Sequence, residues 1–249
     1  MSRTQKVMGG IRTRIDADAD RKQADRQTGK RRTKKDRHFA PAGQSTQMIV
    51  GADTSPDRQL LERADVLYGA YRLKRVYYSA FSPIPSASPI LPLKSPPLVR
   101  EHRLYQSDWL MRFYGYTVEE IAPDSAPNLD LDLDPKLSWA LRSRDIFPVD
   151  VNQAPRELLL RIPGIGVRSV NRMLQIRRWS SLRLEDLQKL GISLKKCLPF
   201  VITTNHHPAR LGLDSERLRS RFLPGPQQTE FTFTNTDTEA QSSAITGEI

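Results

Sequence analysis

The sequence predicts a small α/β segment followed by an all-α block, set between disordered polar tails. Three observations predict it. Residues 45–81 run β-rich, then helical, then β-rich; Leu158–Leu174, LLLRIPGIGVRSVNRML, has helical apolar spacing on both sides of a Pro and two Gly; and both ends of the chain lack a sustained apolar period. The divisions that follow are a basic arm (1–37), an α/β segment with a Pro-rich connector (38–98), a helical linker region (99–150), the hairpin block (151–203) and a mostly disordered tail (204–249).

The 249 residues could hold one or two domains, but 38% hydrophobic content and a mean hydropathy of −0.54 leave part of the chain unpacked. The one cysteine, Cys197, excludes an internal disulfide and any multi-cysteine metal site supplied by this chain alone. No run approaches the roughly 18 apolar residues of a membrane span, and the basic N-terminus has no signal-peptide apolar region. The expectation is a soluble, cytoplasmic, nucleoid-associated protein with no membrane partner. Its net charge of +11 is concentrated in two places: residues 1–37 hold 13 Lys/Arg and 5 Asp, a net of +8, and residues 151–200 hold 10 Lys/Arg and 3 Asp/Glu, a net of +7. A basic tail and a basic folded face attract polyanions in different ways.

Residues 1–37, ending in KRRTKKDR, read as a disordered basic arm. STQMIVGA is a short strand ended by Gly51, a helix starts at Ser55–Pro56, and LKRVYYSAF is a second strand, so this segment is a βαβ unit with parallel strands. Six prolines in residues 82–99 make an extended connector. REHRLYQSDWLMRFYGY then places Leu104, Trp109, Leu110, Phe113 and Tyr114 on one helical face, with Gly115 as the stop. A further turn is expected over Tyr116–Ile121, and another helix over residues 137–144.

In the hairpin block, Asn152 is a good N-cap, Pro155 suits a first turn and Glu157 suits its positive end, so a helix is expected from about residue 153 to 161. Pro163 ends it. Gly164 and Gly166 allow positive φ and close approach by a ligand, while Ile165 turns inward. The next helix starts with unpaired backbone N–H groups exposed, which is an anion site, and Val167, Val170, Met173 and Leu174 form its apolar face. Arg168, Ser169 and Arg172 on its first turns would add charge-assisted contacts to a phosphate.

The stretch VNQAPRELLLRIPGIGVRSVNRMLQIRRW resembles a helix-hairpin-helix DNA-binding motif. Arg177, with Arg178 beside it, matches the basic position near the end of the second helix; SLRLEDLQKLGISLKK, ending in Lys195 and Lys196, is similar to the half-motif that often follows, with one glycine where a full hairpin has two. The resemblance implies a sequence-independent grip on the DNA backbone. A wider set of blocks, HFAPAGQSTQMIVGA, YRLKRVYYSAFSPIP, REHRLYQSDWLMRFYG, NLDLDLDPKLSWALR and FPVDVNQAPRELLLRIPGIG, resembles in order the C-terminal half of putative DNA modification or repair radical SAM proteins. That resemblance implies a partial radical SAM-type βα barrel, a [4Fe–4S] cluster with S-adenosylmethionine, and a uracil-DNA-glycosylase-like partner. The cysteine triad of such enzymes is missing here, so the chain is expected to be non-catalytic alone. It then reads as a truncated or split relative, with a separate N-terminal half covering strand edges that the βαβ unit would expose.

Weaker signals complete the reading. NLDLDLDP lacks the glycine and terminal Glu of a calcium loop, so its leucines are expected to pack and its aspartates to be solvated, with Asp134–Pro135 starting a helix. His206–His207 have no further ligand nearby, and His102 reads as a surface histidine. Gln227–Phe233 loosely resembles a sliding-clamp-binding peptide. Three functions follow: a non-catalytic DNA binder, the DNA-targeting half of a two-chain radical SAM enzyme, or a helical protein-interaction module or inactive remnant.

Overall fold

In the computed structural model, which describes residues 3–29, 39–83, 91–208, 213 and 216–223, the alternating runs around Met48 and Tyr77 form strands. β1 (Ser45–Val50) and β2 (Arg75–Ala80) pair in parallel, with Ser45 opposite Arg75 and Val50 opposite Ala80. The crossover between them is α2 (Asp57–Tyr71). Val50, Val76 and Tyr78 point into the core, while Ile49 and Tyr77 stay exposed on the other face. Gly51, at φ +78°, turns the chain out of β1.

This unit is not part of a βα barrel. Among the described residues the sheet stops at two strands, and the fold is mostly helical with two small open sheets. The physical reason lies along the outer edge of β2. The Val76 N–H donates to the Tyr68 hydroxyl (2.9 Å), the Tyr78 N–H to the Tyr105 hydroxyl (3.0 Å) and the Ala80 N–H to the Glu101 carboxylate (2.9 Å). Tyr105 also donates back to the Tyr78 carbonyl (3.0 Å). Tyr105 and Glu101 come from α3 (Leu98–Tyr114). An edge whose N–H groups are already taken offers no ladder to a third strand, so the expected exposed edge is sealed on this side.

Gly115 ends α3 at φ +68°. Leu104 and Leu110 are buried as expected, but Trp109 and Phe113 are exposed. At about 100° per residue, Phe113 falls on the opposite side of the helix from Leu104, and Ser107 and Asp108 take the buried face instead. A capping box of Thr117 and Glu120 starts α4 (Val118–Ile121). Asp134 caps α5 (Pro135–Arg142) by accepting from the Leu137 N–H. The buried Asp57 carboxylate pairs with Arg100 at 2.6 Å and accepts from the Leu129 N–H at 2.9 Å, tying α2 and α3 to the loop before α5. In that loop Leu129 and Leu133 pack, but Leu131 is exposed. Asp130 is not simply solvated: it accepts from the Asp132 and Leu133 N–H groups and pairs with Arg219.

The block expected to be all-α is closed by strands: β3 (Val149–Asp150), just ahead of its expected start at residue 151, pairs in parallel with β4 (Val201–Ile202) near its end. Between them run α6 (Arg156–Arg161), α7 (Val167–Ile176), α8 (Leu184–Lys189) and α9 (Leu194–Cys197). Pro155, not Asn152, occupies the N-cap of α6. Asn152 instead accepts from the Leu182 N–H at 2.7 Å and donates to its carbonyl at 3.3 Å, joining the start of the block to the segment before α8. The helical face of Val167, Val170, Met173 and Leu174 packs as predicted.

The basic arm is not disordered where it is described: residues Arg3–Gln27 form α1. No residue of α1 is buried; its Arg, Gln, Lys and Ala content carries the helix by propensity, not by an apolar face. Arg12 donates to the Ala70 carbonyl, Asp16 pairs with Arg12 at 3.3 Å and Arg72 at 3.6 Å, and Gln44 donates to the Met8 carbonyl at 3.4 Å. These contacts hold α1 against the end of α2. The KRRTKK run, the middle of the Pro-rich connector and Gln227–Phe233 lie outside the described residues. Of the described part of the tail, Leu213 and Leu218 are buried.

Replacing Tyr68 and Tyr105 with Phe keeps the rings and strips the hydroxyls from the β2 edge. Each change is expected to cost about 1–3 kcal/mol, because a buried amide loses its partner. Urea denaturation of the single and double variants checks this.

Candidate nucleic-acid interface

Ile162-Pro163-Gly164-Ile165-Gly166 carries the chain from α6 into α7. Gly164 adopts φ +80°, and an added Cβ would lie 3.2 Å from the Ser193 carbonyl oxygen and 3.1 Å from Lys196 Cβ. Only glycine fits there, for backbone and packing reasons together. Gly166 has φ −99°, which any residue adopts, so the expected positive φ occurs at Gly164 alone. Ile165 is buried and pins the turn to the core, as expected.

α7 begins at Gly166 with no side chain capping its first turn. Its leading N–H groups, at the positive end of its dipole, therefore have no side-chain partner. Arg168 and Arg172 are exposed there, with Ser169 half-buried between them. No ion pair involves either arginine among the described residues.

The turn is held from beneath by a residue that the sequence reading did not single out. Lys136, only 8% exposed, donates through Nζ to the Ile165 carbonyl at 2.5 Å and lies 4.8 Å over the Tyr114 ring. Burial pushes its pKa down to about 7, with Asp134 opposing the shift and Arg161 adding to it. Arg161 is the second such residue. It donates to both Glu120 carboxylate oxygens (3.0 Å each) and to the Tyr114 and Gly115 carbonyls (3.0 Å each), with its guanidinium 3.9 Å above the Tyr116 ring. Sequence pattern carries no signal for either: a lysine after Asp-Pro reads as solvated, and an arginine ending a helix reads as a dipole partner.

Gly164, Ile165 and Gly166 share an open cavity of about 340 Å³ with Trp109, Tyr114, Lys136 and Lys196. The other expected contact residues divide. Lys195 is exposed nearby, on the wall of an adjoining cavity that also includes Lys196. Lys196 pairs with Asp134 at 2.9 Å. Arg177 is committed to the fold, donating to the Val151 and Ala154 carbonyls at 3.3 and 2.6 Å. Arg178 is exposed but lies at the far end of α7, roughly 18 Å along the axis from Gly166 by helix rise. In the half-motif Gly191 takes φ +73°, but α9, which follows, has four residues and offers no extended N-terminus.

The iron–sulfur cluster that the resemblance implies does not fit the residues present. Such a cluster needs three thiolates, whereas the single Cys197 is buried and its thiol is pushed up to about 11 by that burial. His206 Nε2 contacts the Leu198 carbonyl at 3.0 Å. Among the described residues no helix is long and apolar enough to cross a membrane. No family model, curated protein or solved structure matches the chain.

The Lys136 shift sets a pH dependence. Between pH 7 and the unfolded value of 10.5, the unfolded chain holds a proton that the folded chain has lost, so this group's contribution to stability rises with pH. Cys197, raised in the fold, works the other way above about pH 9. The stability gap between wild type and Lys136→Met is therefore expected to shift toward wild type by about 1 kcal/mol per pH unit from pH 7 to 9. Urea titrations at several pH values check it, and a constant gap would contradict the assignment.

Proposed function

We propose that this protein binds DNA through its phosphate backbone, without regard to sequence, using the turn at Gly164–Gly166 and the first turns of α7. Arg168 and Arg172 supply charge there, with Lys195 alongside. The observation that carries the reading is the uncapped N-terminus of α7 flanked by two arginines that have no ion pair among the described residues, while Arg161, Arg177 and Lys196 are engaged. Backbone N–H groups and free guanidinium groups around a glycine turn suit a phosphate. A helical module that docks protein would use the same turn as pure scaffold and would show no DNA binding.

Binding of the full chain to a labelled duplex over a salt series tests the proposal. Contact with about five phosphates gives a slope of log K against log salt near −4.5. Arg168→Ala with Arg172→Ala is expected to reduce that slope by about 2. Gly166→Val, at a backbone angle that valine tolerates and with the nearest neighbouring atom, the Tyr114 hydroxyl, 3.5 Å from an added Cβ, is expected to weaken binding without unfolding the protein. A slope near zero, or unchanged binding in both variants, would overturn it.

A further inference from the structure

Trp109 and Phe113 stand 54% and 43% exposed on α3, with ring centroids 4.3 Å apart. Aromatic side chains of this size are ordinarily withdrawn from water, and a contiguous exposed pair marks a contact surface. Trp109 lines the same cavity as Gly164 and Gly166. One wall of that cavity is therefore a phosphate-type site and another is an indole, with Tyr114 and Lys136 between them.

We propose that this cavity takes an unpaired nucleotide of DNA, its phosphate at the α7 N-terminus and its base stacked on Trp109, so that the protein prefers single-stranded or gapped DNA to continuous duplex. The inference rests on the DNA-binding reading above. A nucleotide joins an anion to a flat π-face within one small unit, and these two chemistries meet in the cavity. In a continuous duplex every base face is covered by its neighbours, so the indole has nothing to stack on. An unpaired base has a free face and needs no particular sequence to use it. Charge complementarity favours this occupant over an apolar peptide: Arg168 and Arg172 beside the turn have no ion pair among the described residues, and Lys195 is exposed on the adjoining cavity's wall. Asp134, the carboxylate on the cavity wall, is offset by Lys196 at 2.9 Å.

The test compares the affinity of the full chain for a labelled duplex and for the same duplex carrying a short single-stranded gap. Wild type is expected to bind the gapped DNA about ten-fold more tightly, the scale of one stacked base. Trp109→Leu should remove the preference for gapped DNA, and Trp109→Phe should restore most of it. Because Trp109 is largely exposed, these variants keep the core intact, which thermal unfolding verifies. Equal binding of both DNAs by wild type, or a preference that survives Trp109→Leu, overturns the stacking proposal and leaves the hairpin reading standing. Failure to bind either DNA at low salt overturns both.

Discussion

The guanidinium of Arg161, at the last turn of α6, closes the C-terminal end of α3, grips Glu120 of α4 and sits over the Tyr116 ring. It thereby joins α6 to α3 and α4, more than forty residues earlier in the chain. The carbonyls at the end of α3 would otherwise be left without helical partners, and Glu120 would be a half-buried carboxylate without a counter-ion. Trp139 lies against the same group, with its ring 5.5 Å from Tyr116 and 5.7 Å from the Arg161 guanidinium. Because α6 runs directly into the glycine turn, this contact fixes where the turn stands relative to Tyr114 and Trp109. Arg161 thus joins the α3 wall of the cavity to the helix that leads into the turn, alongside Lys136 and the Lys196–Asp134 pair.

The same economy governs the basic residues of the hairpin block. Its high positive charge is not a uniform surface. Some cations are spent on the fold: Arg161 on α3 and α4, Arg177 on the carbonyls before α6, and Lys136, from outside the block, on the underside of the turn. Others have no ion pair among the described residues, and those on the first turns of α7 are Arg168 and Arg172. Charge counted along the chain overstates what a polyanion would meet, and partner geometry picks out the side chains that matter. Gly164 makes the division sharper, since its close packing against Ser193 and Lys196 makes the turn part of the core of the block.

Much of the local structure was legible in the sequence. The βαβ unit, the stop at Gly115, the start of α5 at Asp134–Pro135, the inward Ile165 and the apolar face of α7 each follow from spacing or capping chemistry that acts over a few residues. The rest depended on contacts remote in sequence. Nothing near Val76 or Tyr78 announces that hydroxyls from Tyr68 and Tyr105 end the sheet, so a resemblance to barrel proteins extended it too far. α1 escaped because a polar helix has no apolar period to read. Asn152 looked like a cap and became a clamp on Leu182, since its choice between the two is made by a chain segment thirty residues away. The site divides similarly: Gly164, Ile165, Arg168 and Arg172 were legible, whereas Lys136 and Trp109 reach the turn only through folding.

The sealed edge of β2 bears on assembly. A parallel pair of strands has two edges, and here one is closed by side chains while no comparable cap runs along β1 among the described residues. Open-ended ribbons grow by joining unlike edges, each copy receiving on one side and offering on the other. The β2 edge, closed in this way, can take no part in such growth. Two tyrosine hydroxyls and one carboxylate thus remove one of the two edges that an open-ended ribbon requires.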